Sequence, residues 1–97
     1  MKFVQIIGFK TSKLDEFNSA LETAMAASEG RVPHRVMVVR DRDAQDTYDL
    51  ILEFPSHEKA MENSNRPAVA AFAGSLANIC DGPLTFRNLD LLREQNV

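Results

Sequence analysis

The sequence predicts a ferredoxin-like α+β fold: one four-stranded antiparallel sheet in βαββαβ order with two helices on one of its faces. Three observations lead there. Segments rich in β-branched and aromatic residues alternate with longer stretches of helical apolar spacing in that order. The 97 residues suffice for a single domain, residues 1–97. Apolar side chains occupy both faces of the strands, which one layer of helices cannot cover alone.

The elements follow in chain order. Residues 3–9, Phe3 to Phe9, read as the first strand, and Gly8 within it marks a bulge or a close backbone approach. Ser12 is placed to cap a helix in which Leu14, Phe17, Leu21, Ala24 and Met25 recur at helical spacing, and Gly30 is placed to end it. Residues 32–40 form a second strand, with Pro33 pointing to an edge position. After the polar hairpin loop 41–46, residues 47–54 alternate cleanly, Tyr48, Leu50, Leu52 and Phe54 on one face and Asp49, Ile51 and Glu53 on the other. Ser56 caps a second helix that Pro67 forces to break and restart, with Asn65 as the local cap of the restarted part. That part carries Val69, Phe72, Leu76, Ile79 and Cys80 on one stripe, and Asp81-Gly82-Pro83 stops it. Residues 84–91 are the fourth strand.

The two apolar faces imply a partner. Phe3, Ile7 and Phe9 oppose Val4 and Ile6 in the first strand, Val36 and Val38 oppose Met37 and Val39 in the second, and Leu84 and Phe86 oppose Leu89 and Leu91 in the fourth. A face of that size left open exceeds what soluble monomers tolerate, and sheet-to-sheet pairing of two copies in a two-fold homodimer removes it. Other partners are excluded by composition. The net charge is −3 and the basic residues form no block, so a nucleic-acid footprint is lacking. No stretch approaches the roughly 20 apolar residues of a membrane span, the N-terminal residues read as a strand, and the cytoplasm is the expected location. The single cysteine allows no internal disulfide.

The segment from Phe54 through Pro67, Phe54-Pro55-Ser56-His57-Glu58-Lys59-Ala60-Met61-Glu62-Asn63-Ser64-Asn65-Arg66-Pro67, followed by Phe72, looks like the strand, short helix, break and longer helix of the dimeric α/β barrel superfamily. With the βαββαβ order and the length, nearly the whole chain resembles that superfamily, which includes the antibiotic-biosynthesis monooxygenase-like proteins. The resemblance implies two sheets facing each other, helices outside, and a cleft between sheet and helices that takes a small apolar or aromatic ligand. Heme-degrading members use a His or an Asn–Trp combination, whereas this chain has no tryptophan, and its helix break contains no histidine.

Candidate chemistry rests on few residues. His34, early in the second strand, can shuttle a proton near neutral pH, or simply bond backbone or water at a strand end. Tyr48 can orient a phenolic or quinone-like ligand, or be core with a wet tip. These two are the catalytic candidates. Asn63, Asn65, Arg66 and Phe72, around the helix break, are the ligand-binding candidates, Arg66 as an anchor for a carboxylate. His57 has a surface role at a helix start, and Cys80 is a small buried hydrophobe. Asp49 and Glu53, four residues apart on a strand and so ~13 Å apart, are too distant for a dyad and suit salt bridges to Arg35 or Arg87. No ligand spacing suggests a metal, no glycine-rich loop suggests a nucleotide, and no cofactor is expected. The functional expectation is binding of a small apolar or aromatic ligand in the cleft. The alternative is a cofactor-free monooxygenase acting on a phenolic or quinol-type substrate, and a weaker third reading is an isomerase or decarboxylase of a small acid.

Overall fold

The structure, a computed structural model, describes residues 1–27 and 33–97. The elements are β1 (Phe3–Lys10), α1 (Leu14–Ala27), β2 (Arg35–Arg40), β3 (Thr47–Phe54), α2 (His57–Ser64), α3 (Pro67–Ile79) and β4 (Thr85–Asp90). The strands form one antiparallel sheet in the order β2-β3-β1-β4. This is the expected ferredoxin-like arrangement with the second helix split. Gly30 and Val32 lie outside the described residues; within them, the second strand begins at Arg35, beyond Pro33.

Strand alternation decides where the core sits. Phe3, Ile7 and Phe9 of β1 and Tyr48, Leu50 and Phe54 of β3 are all buried on one face. The main core joins that face to Phe17 and Leu21 of α1 and Leu76 of α3. Phe17, 0% exposed, stacks on Phe9 with ring centroids 4.1 Å apart, and Phe9 stacks in turn on Tyr48 at 5.4 Å. Phe17 also meets Phe72 of α3 edge to face at 5.8 Å. A smaller cluster of Phe3, Phe54 and Ala60 seats α2, and the His57 ring stands edge-on to Phe3 at 5.0 Å.

Local chemistry sets the helix ends, in part as the sequence suggests. Ser56 caps α2, its hydroxyl accepting from the Lys59 amide at 3.2 Å, and Pro67 occupies the first turn of α3, where its missing N–H leaves no bond unmade. Two expectations are corrected. Ser12 does not cap α1: its amide instead donates to Asp81 Oδ2 at 2.9 Å. The entry to α1 is held by Thr11, 0% exposed, whose hydroxyl accepts from the Lys13 amide at 2.9 Å and donates to the Ile79 carbonyl at 2.6 Å. Asn65 does not cap α3 either; it closes α2 through its backbone, and Arg66, in extended conformation, precedes α3 with no side-chain cap.

Gly8 makes no bulge. The β1–β3 ladder runs without interruption from Phe3 opposite Phe54 to Lys10 opposite Thr47. The close approach is real, because a Cβ at Gly8 would collide with Thr85 Oγ1 on β4 and crowd Asp49 on β3.

The two hydroxyl bonds of Thr11 tie the start of α1 to the end of α3, so both are lost together. Thr11→Val takes these bonds from the Lys13 amide and the Ile79 carbonyl in a part-buried setting, and destabilisation by about 1–3 kcal/mol is expected. Urea denaturation checks this; a midpoint equal to that of the parent protein would show the tie to be dispensable.

Candidate functional site

The helices do not seal the sheet completely. A narrow cleft lies between α1, the β2–β3 half of the sheet, and the α2–α3 pair. Its floor is Val36, Leu50 and Leu52, and its walls include Leu21, Val69 and Phe72. Alternation explains the floor: Leu50 and Leu52 share the helix-covered face with Tyr48 and Phe54, and Val36 lies beside Leu52 in the ladder.

Into this apolar space comes one amide. Asn63 stands on the inward side of α2, one turn after buried Ala60, and is 6% exposed. Its Oδ1 is buried without a hydrogen-bond partner among the described residues. Burying such a group unpaired costs about 1–3 kcal/mol, which an apolar residue at the same place would avoid.

The sequence candidates divide. Asn63 and Phe72 meet at the cleft. Asn65 is exposed, and Arg66, half-buried, forms the connection between α2 and α3; neither lines the cleft. Tyr48 lies four residues along β3 from Leu52, about 13 Å by strand rise, at the other end of the sheet. There it stacks on Phe9 beside the 41–46 loop. His34 is bound elsewhere too. Its amide donates to the Glu53 carbonyl at 3.0 Å, and its Nε2 donates to Glu53 Oε1 at 3.1 Å. Glu53 alternates with Leu52 and Phe54, so its carboxylate lies on the sheet face away from the helices. Four residues that line the cleft, Leu21, Val36, Leu50 and Leu52, were read from the sequence only as core, and the signal for Asn63 was its place three residues after Ala60 on the inward stripe of α2.

The Glu53 cluster is the most pronounced electrostatic feature. Its expected partners were Arg35 or Arg87; the structure gives it His34 and Lys2, the latter with Nζ at 3.5 Å from Oε1 and 2.9 Å from Glu94. Arg35 is the ladder neighbour of Glu53, but its side chain is exposed. The hydrogen bond from His34, joined by Lys2, holds the Glu53 carboxyl below its ordinary range, against a smaller opposing push from burial. Burial, with Asp81 adding to it, pushes the Cys80 thiol up, away from reactive thiolate. No group of three or more His, Cys, Asp or Glu that could hold a metal occurs among the described residues. No described helix is long and apolar enough to cross a membrane.

A protein from Caulobacter crescentus assigned as an antibiotic biosynthesis monooxygenase superposes with a TM-score of 0.81 at 14% identity, over 95% of this chain and 91% of that one. Rv0793 from Mycobacterium tuberculosis gives 0.81 at 12% identity, over 99% and 100%. SnoaB from Streptomyces nogalater, a cofactor-independent oxygenase, gives 0.77 at 19% identity, over 96% and 95%. The fold is that of the antibiotic biosynthesis monooxygenase-like proteins. At these identities the likeness speaks for the fold alone. No family model and no curated protein sequence matches the chain.

The lowered carboxyl of Glu53 makes a signed pH prediction. A depressed folded-state value adds stability at neutral pH that is lost as pH falls from about 4.3, the ordinary glutamate value, through the lower folded value. Glu53→Gln removes that dependence. Its stability, followed by urea denaturation from pH 7 to pH 3, falls less steeply below pH ~4.3 than that of the parent; parallel profiles would mean the cluster adds nothing.

Proposed function

We propose that the protein binds a small aromatic molecule bearing a hydroxyl in the cleft between sheet and helices. The observation that carries this is the buried, unpartnered amide oxygen of Asn63 in an otherwise apolar cavity. Ligand sites are typically apolar chambers with a few placed polar groups, and this cleft has that character, with Asn63 set among Leu50, Leu52, Val69 and Phe72. A phenolic O–H donating to Oδ1 satisfies the amide, while the ring takes the contacts with Leu50, Leu52 and Phe72.

A second reading concerns chemistry at the same place. The likeness to SnoaB, a cofactor-independent oxygenase, supports oxygenation of a bound phenol or quinol. The apolar walls line one side of the ring, and the Asn63 amide, turned to present its N–H, stabilises the anion left when the hydroxyl proton departs. Molecular oxygen then oxidises that anion. The phenolic O–H and one ring C–H break, one oxygen atom becomes a ring carbonyl, and the other leaves as water. Tyr48 and His34 are not assigned roles in this reaction, since neither lines the cleft.

We propose also that two copies pair through the uncovered sheet face. Its centre is the row Arg87, Ile6, Ile51 and Met37, flanked by Val4, Leu89 and the exposed Val39. Exposed apolar surface across adjacent strands favours such pairing.

Two measurements test these proposals. Asn63→Leu is expected to melt no lower than the parent protein yet to bind 1-naphthol at least about tenfold more weakly, measured by titration calorimetry; unchanged affinity would refute the role of the amide. Ile51→Lys, which puts charge at the centre of the open face, is expected to convert a dimer to a folded monomer in sedimentation analysis. A parent protein that sediments as a monomer would remove the pairing.

A further inference from the structure

The cleft has a second lobe. Beyond Phe72, towards β4, a further space of about 220 Å³ lies over Gln5 and Ile7 of β1 and Phe86 of β4 and under Met61 and Ala73. Four residues line both lobes: Leu52 in the floor, and Asn63, Val69 and Phe72 above it. The ladder shows how the lobes are arranged. Val36, Leu52, Gln5 and Asn88 are successive neighbours across the sheet, and so are Val38, Leu50, Ile7 and Phe86. The lobes therefore lie end to end across all four strands, a passage of three interstrand steps or about 14 Å. Phe72 stands at its middle, and its ring is held there by the edge-to-face contact with Phe17. At the outer end Phe86 is 58% exposed, an aromatic side chain at the solvent side of the second lobe.

We infer that Phe72 is the specificity-determining residue of this site: it divides the passage beside the Asn63 amide and confines a ligand to one lobe. Compact phenols of one or two rings reach the amide from a single lobe. Longer linearly fused phenols have to cross the position of the Phe72 ring, and are rejected by overlap with a side chain that Phe17 prevents from swinging aside. Loss of the ring joins the lobes and admits the longer molecules. This rests on the reading that the ligand hydroxyl bonds to Asn63, and its test separates the two.

Affinities of 1-naphthol and of three-ring 2-anthracenol are measured by titration calorimetry on the parent chain, Phe72→Ala, Phe72→Leu and Asn63→Leu. The parent is expected to prefer 1-naphthol by about tenfold or more, a discrimination of the size that a few apolar contacts provide. Phe72→Ala is expected to shift the ratio towards 2-anthracenol by about tenfold, and Phe72→Leu to shift it partway. An unchanged ratio in variants that retain the helical circular-dichroism signal overturns the partition, and if Phe72→Ala does not fold, Phe72→Leu decides by the same criterion. A parent chain that binds neither compound overturns the binding reading and the partition with it. Loss of 1-naphthol affinity in Asn63→Leu together with a constant ratio across the Phe72 variants removes the partition alone.

Discussion

The position of Phe17 is the constraint on which the rest of this molecule depends. A domain this small buries a modest share of its surface, so a few large side chains must do most of the joining. Phe17 joins three elements at once: it stacks on Phe9 of the sheet, sits within α1, and meets Phe72 of α3 edge to face. Aromatic pairs in these geometries add about 0.5–1.5 kcal/mol each beyond burial alone. The same contacts also keep α1 and α3 at a separation that leaves the cleft open. What holds the fold together is thus also what shapes the candidate site, and the Asn63 amide stands in a space that Phe17 indirectly maintains.

The two faces of the sheet divide the remaining work. The helix-covered face is apolar along β1 and β3 and carries the cleft. The other face mixes apolar residues with the Glu53, His34 and Lys2 cluster near one end. Glu53, the buried charge on that face, is paired by His34 and Lys2, the condition under which a carboxylate tolerates reduced exposure.

How much of this could be read in the sequence depended on distance along the chain. The alternation of Tyr48, Leu50, Leu52 and Phe54 fixed both the bounds and the facing of β3, and Pro67 fixed the helix break, since both signals are local. Thr11 gave no such sign, because its carbonyl partner, Ile79, is 68 residues away. Glu53 was assigned the wrong partners for a related reason. Ladder register brings Arg35 alongside, but the bond goes to His34, whose backbone also pairs with Glu53 just outside β2. That pairing draws the His34 ring to the face away from the helices, so the histidine that the sequence offered as a catalytic candidate does not line the cleft. Around the helix break, the sequence marked Asn63, Asn65 and Arg66 together; only helical phase, with Asn63 one turn past Ala60, separates the inward residue from the others.

The sheet's margins have a consequence for assembly. Both edge strands, β2 and β4, are short, six residues each, and carry charged side chains: Arg35 and Arg40 on one, Arg87 and Asp90 on the other. Pro33, lacking an N–H, stands just before β2. Such borders resist the end-on strand addition that builds fibrils. Edge chemistry, remote from the cleft, thereby guards the sheet against growth along its hydrogen-bonding direction.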